Sequence, residues 1–162
     1  SSIVFPRNQV NEKYLKCLSK NNIRCYRGNE NNWIYNSNME FILKRGFRLL
    51  DSYFNLTGSN TYDLAKIDKK IPHNIPSSYF LRPVKPQKSL FKLLKLWRIK
   101  GQMTQAAKKN QVFHLWWHPH NFGNDIQANV LFLKEIISHF NNLKERYNME
   151  SLNMSEISKK IS

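Results

Sequence analysis

The chain has 162 residues, 41% of them hydrophobic and 13% aromatic, which fits one domain with a packed core and excludes a disordered tail. Lys and Arg total 26 against 11 Asp and Glu, for a net charge of +15. No apolar run reaches the roughly 18–20 residues that a membrane-spanning helix needs.

Ile3-Val4-Phe5 is a short β-prone run stopped by Pro6, and it predicts a strand. Residues 11–20 read as a helix with Tyr14, Leu15 and Leu18 on its apolar side, closed by Asn21-Asn22. Ile23 to Tyr26 predicts a second strand, stopped by Gly28. Strand, helix and strand within about 25 residues is the pattern of a parallel βαβ unit. Residues 39–53 read as a helix with Phe41, Ile42, Phe47, Leu49 and Leu50 inward. Residues 55–76 are polar and punctuated, and read as a long loop. Ser77 to Leu81 predicts a strand.

Pro83 and Pro86 then break the chain before a helix that starts near Ser89. Lys88, Lys92 and Lys95 share one stripe of it, with Leu90, Phe91, Leu93, Leu94 and Trp97 around the rest. That pattern predicts a surface helix with a lysine face; the same pattern can lie on an anionic membrane. A further helix is expected over 104–109. Residues 112–117, Val-Phe-His-Leu-Trp-Trp, are apolar in all but His114 and predict a strand buried on both faces of a parallel sheet. The last long helix is expected over 125–147, with Ile126, Val130, Leu133, Ile137, Phe140 and Tyr147 facing the core. Leu152, Met154 and Ile157 predict a short docked helix at the end.

The charge is polarised. Residues 69–124 hold eleven Lys and Arg and no acid, while the remainder carries fifteen bases against eleven acids. A polarised positive field attracts anions, so an anionic glycan, a membrane surface or nucleic acid are the partners to weigh. The excess of Lys over Arg (18 to 8) and the 20 Asn fit an AT-rich coding bias, which accounts for part of the excess but not for 56 residues without an acid. Cys17 and Cys25 form no disulfide framework and no C-x-x-C pair, and predict reduced thiols in a cytoplasmic protein.

Chemistry in α/β folds gathers in loops that leave the C-terminal ends of strands. Three such ends hold polar clusters: Pro6-Arg7-Asn8-Gln9, Tyr26 to Trp33, and His118-Pro119-His120-Asn121. His118 and His120 alone make too few ligands for zinc, which takes three or four. A loop histidine better suits a general acid or base. No G-x-S-x-G elbow, Walker loop or Rossmann glycine motif is present.

In this order the clusters resemble the polysaccharide deacetylase family, also called the NodB-homology or carbohydrate esterase family four, in a bacterial surface-polysaccharide subgroup. The residues that carry the resemblance are SIVFPRNQ (2–9), IRCYRGNENNW (23–33), SYFLRP (78–83), FHLWWHPHNFG (113–123) and MESLNM (149–154). The resemblance implies an α/β fold, part of a distorted (β/α) barrel, with residues 1–162 as a single partial domain that forms its C-terminal half. The chain opens Ser1-Ser2-Ile3 without Met and is expected to be a piece of a longer polypeptide.

By the same resemblance the parent removes acetyl groups from sugars with a divalent metal, zinc in the family, whose Asp and two His ligands and neighbouring Asp base are not in this segment. The segment alone is then expected to be inactive. His118 matches the histidine that protonates the leaving amine or alcohol, and Arg7 the arginine that orients the catalytic Asp. Asn8-Gln9 stands where the family has Pro-aromatic-Gly. Tyr26 and Trp33 are expected to stack on a sugar face, and Asn8, His120 and Asn121 to bond hydroxyls. Trp116 and Trp117 are expected in the core and the pocket wall. The implied partner is an acetylated sugar or polysaccharide precursor. An anionic glycan or membrane would lie at the 69–124 window, and the half barrel would associate with itself through its open edges. The alternative reading is a basic α/β module that binds nucleic acid or another polyanion. The aromatics argue against nucleic acid: they sit in apolar runs and do not interleave with bases as a stacking platform.

Overall fold

The computed structural model describes residues 1–29, 58–84 and 89–161, without the side chains of Arg7 and Ser89. The expected helix over 39–53 and Trp33 lie outside the described residues. In chain order the elements are β1 (Ser2–Ile3), α1 (Glu12–Lys20), β2 (Cys25–Gly28), β3 (His73–Pro76), β4 (Tyr79–Phe80), α2 (Ser89–Lys109), β5 (Leu115–Trp116), α3 (Ile126–Tyr147) and α4 (Met154–Ile161). No helix among the described residues is long and apolar enough to cross a membrane.

Every strand pair among the described residues is parallel. β2 lies between β1 and β3, with Ile3 opposite Tyr26 and Arg27 opposite Ile75, and β4 pairs with β5, with Phe80 opposite Trp116. β3 and β4 are one path of chain interrupted at Ser77-Ser78. There the N–H groups of both Ser78 and Tyr79 donate to the His114 carbonyl, at 2.9 and 3.2 Å. Two residues opposite one is the signature of a bulge, which bends the strand and shifts its alternation. The described strands thus form a three-stranded sheet, β1-β2-β3, and a two-stranded sheet, β4-β5, joined by the chain from β3 to β4, and they close no barrel.

Paired residues share a face, so Cys25, Arg27, His73 and Ile75 point one way and Tyr26, Gly28 and Asn74 the other. α1 covers the second face, with Leu18 packed on Phe5 and Tyr26. Its N-cap Asn11 accepts from the Lys13 N–H, which satisfies one donor of the first turn. α4 covers the lower part of the first face. Ile157 and Ile161 pack on Cys25 and Ile75, and His73 Nδ1 lies 2.9 Å from Ser158 Oγ. The expected terminal helix is therefore present.

α2 and α3 run side by side in the same direction: Lys100 meets Glu135 at 3.3 Å, and Thr104 meets His139 at 2.9 Å. Between them and the sheet lies the main core, with Tyr79, Leu81, Ile99, Met103, Phe132 and Ile136.

Several expectations are corrected. The loop expected over 55–76 contains β3. The helix near Ser89 and the helix over 104–109 are one element, which Gly101 does not break. Of the expected lysine stripe of α2, Lys95 is buried, Lys92 is half-buried and Lys88 lies outside the described residues; Arg98 and Gln102 are buried as well, while Leu90, Leu93 and Trp97 are exposed. On α3 the core face is Asn129, Phe132, Ile136 and Leu143. Leu133, Phe140 and Tyr147 flank it, and Ile126, Val130 and Ile137 face outward. Residues 112–117 are not buried on both faces; only Leu115–Trp116 is strand, and both are half-buried.

Candidate functional site

The site forms where β2, β4 and β5 end. After β1 the chain makes a short 3-10 turn over Pro6–Asn8. Asn8 closes it at φ 54°, a left-handed conformation that asparagine tolerates better than most residues. This turns the Asn8 carboxamide toward β2. Its Oδ1 accepts from both Nε and Nη2 of Arg27, at 3.2 and 2.9 Å. Arg27 is nine-tenths buried, and its Cζ lies 3.8 Å from the centre of the Trp116 ring. Burial lowers the Arg27 pKa from its ordinary value, because a charge is disfavoured away from water.

Trp116 is the centre of the cluster. Phe80, opposite it on β4, lies 4.4 Å away between ring centres. His118, just past β5, stands edge-on to Trp116 at 5.4 Å and 90°, and meets Phe80 at 5.7 Å. His120 stacks on His118 at 5.2 Å and 20°. Pro119 opens the 3-10 turn that carries both histidines, and the Asn121 N–H donates to the His118 carbonyl at 3.0 Å. The Trp116 indole N–H is buried without an acceptor among the described residues, and packing against rings and guanidinium holds this side chain.

His114 supports the site from below. Its backbone N–H donates to Ser78 Oγ, and its Nδ1 donates to the Pro76 carbonyl at 3.0 Å. Burial pushes its pKa down, and the nearby Arg27 charge adds to that, against the raising effect of the Pro76 bond.

The structure therefore brings together Asn8, His118, His120 and Asn121 among the residues expected from the sequence. Tyr26 is a correction. It faces away from Arg27, beneath α1, 8% exposed and edge-on to Phe5, so it offers no ring to a sugar. Asn8 holds Arg27, which was not expected of it. The Arg7 side chain and Trp33 lie outside the described residues. Arg27, Phe80 and Trp116 form the heart of the cluster; the sequence reading held Arg27 within its second polar cluster but gave neither it nor Phe80 a role. The available signal was a lone charge two residues from a buried cysteine in a short strand.

No group of three or more His, Cys, Asp or Glu that could hold a metal occurs among the described residues, and the stacked pair His118–His120 has no carboxylate partner there. These residues do not by themselves fit a zinc site. Comparison with known proteins gives no match to a family model, to a curated protein or to a solved structure.

Proposed function

We propose that this chain is the C-terminal part of a metal-dependent sugar deacetylase of the polysaccharide deacetylase type, acting on acetylated surface-polysaccharide precursors. The observation that carries the reading is the placement of His118 at the C-terminal end of β5, edge-on to Trp116 and Phe80 and one ring away from Arg27. An imidazole held by its neighbours at a strand end can give a proton to a departing amine or alcohol. Phe80 and Trp116 offer an apolar wall of the kind on which the C–H face of a sugar ring packs. The metal and its ligands belong, by the resemblance, outside this chain, and no step is assigned to them here.

The reading as a polyanion-binding module is weaker. Two of the eleven bases of the acid-free window, Lys95 and Arg98, are buried and cannot meet a phosphate backbone. The outer edges of β1 and β5 have no strand partner among the described residues, and self-association of the isolated chain goes with the proposal.

The test is acetate release from N-acetylglucosamine oligomers by a polypeptide extended upstream of Ser1, with and without a chelator. Chelator-sensitive release that falls about 100-fold or more in His118→Ala supports the reading, since a positioned acid or base contributes 10²–10⁴-fold. Release unaffected by His118→Ala, or no release on any acetylated amino sugar, overturns it.

A further inference from the structure

Arg27 is nine-tenths buried, yet neither ion pair seen among the described residues involves it. A charge this removed from water is costly unless it is paired. Asn8 supplies a neutral acceptor, and Trp116 supplies a ring face, which attracts a guanidinium; neither carries a negative charge. Arg82, whose Cζ lies 5.7 Å from the Phe80 ring, adds a second cation at the rim, and no acid occurs in residues 1–11 or 69–124. Among the described residues this end of the sheet is therefore electropositive, and none of them supplies Arg27 with a counter-charge.

We propose that Arg27, oriented by Asn8 and Trp116, is the binding residue for a single carboxylate group that enters the cleft beside His118. Asn8 occupies the Nε–Nη2 side of the guanidinium, and among the described residues the Nη1–Nη2 end keeps two parallel N–H groups, which suit a two-oxygen acceptor such as a carboxylate. Two sources share this chemistry: a uronic acid in the glycan, or acetate released in the reaction. The choice of sources rests on the deacetylase reading; the need for an anion does not.

The test measures binding without hydrolysis. Tm of the chain is followed with sodium glucuronate, sodium acetate and sodium phosphate at matched ionic strength against NaCl, with N-acetylglucosamine as the uncharged control. The arginine Nε–H resonances are followed in parallel. A saturable rise, about 3–6 °C at ten times the dissociation constant, is expected with carboxylates. It disappears in Arg27→Gln and weakens in Asn8→Ala, where the charge remains.

Arg27→Lys, which keeps the charge and loses the fork, is expected to lose at least tenfold in affinity. Should Arg27→Gln not fold, a carboxylate-dependent shift of the one Nε–H resonance missing in Arg27→Lys carries the test. Glucuronate binding at least tenfold tighter than acetate assigns the sugar acid; equal affinities assign released acetate. No rise beyond NaCl, a rise that survives in Arg27→Lys at full strength, or a preference for phosphate overturns the proposal. Acetate-release assays play no part in it, so the deacetylase reading can fail while this one stands.

Discussion

Asn129 is a polar residue 1% exposed in the first turns of α3. Its Oδ1 accepts from the Val84 N–H at 2.8 Å, and its Nδ2 donates to the Asp125 carbonyl at 2.7 Å. It thereby ties the segment after β4 to the start of α3, at the end of the core that faces the site. Replacing it with alanine leaves the buried Val84 N–H without a partner, at about 1–3 kcal/mol. The Asp125 carbonyl still receives the Asn129 backbone N–H at 3.1 Å, so its loss is minor. The small cavity adds roughly 1 kcal/mol, and the better helix propensity of alanine returns about 0.5 kcal/mol.

Asn129→Ala should then lose about 1.5–3.5 kcal/mol, which for a chain of this size lowers Tm by about 3–14 °C. Urea unfolding and calorimetry would read it. Asn129→Asp keeps the acceptor for Val84 but sets a buried carboxylate against the Asp125 carbonyl, so its deficit should narrow as the pH falls and the carboxyl takes a proton. A drop below 2 °C in Asn129→Ala, or an Asn129→Asp deficit indifferent to pH, would refute this account of the contact.

The remaining predictions concern the sheet. His114 is held below its ordinary pKa when folded, so the unfolded chain takes the proton first. Stability should fall as the pH drops below about 6.5, by at most about 1.4 kcal/mol per unit, and level off at the folded pKa; urea curves from pH 7.5 to 5 should show a shallower slope in His114→Asn. Cys17 is exposed and Cys25 buried, so a thiol reagent should titrate one group at once and the second only on unfolding. Burial raises the Cys25 pKa further from the reactive thiolate. Ile161→Ala, at about 2–5 kcal/mol, should speed the second reaction, and an unchanged rate would mean that α4 is not what covers Cys25. A methyl group on Gly28 would fall 1.9 Å from Asn74 Oδ1. Gly28→Ala should therefore cost about 1–2 kcal/mol, and most of it should return in the double variant with Asn74→Ala, a non-additivity expected of neighbours.

The sequence revealed elements more readily than orientations. The parallel βαβ start, the long helix of 126–147 and the terminal helix were legible, because apolar spacing and Asn or Pro punctuation act locally. β3 was not, because a strand of His-Asn-Ile-Pro has no alternation to read. Its place is set by β2 on one side and α4 on the other, and His73 is tolerated there because Ser158 meets its ring. The face of α2 was misjudged for a related reason. Leu90, Leu93 and Trp97 share one stripe by their spacing, and Leu94 and Leu96 are apolar as well, so periodicity alone does not say which side faces the core. The packing decides it: Lys95 reaches the Pro83 carbonyl at 3.4 Å, and Arg98 lies 5.7 Å from the Tyr79 ring, so long basic stems fill the inner side.

The same physics explains what was missed in the site. His118 and His120 announced themselves as a loop cluster after an apolar strand. Arg27 could not, because its meaning depends on a bulge at Ser77-Ser78 that puts Phe80, Trp116 and Arg27 on one face. A strand without that extra residue would put Tyr79 where Phe80 stands. Arg27 would then lose the aromatic corner that orients it beside His118. The chemistry of this cleft thus depends on a two-residue interruption of the sheet, and deleting Ser77 should uncouple Arg27 from Trp116 while leaving β2 and β3 paired.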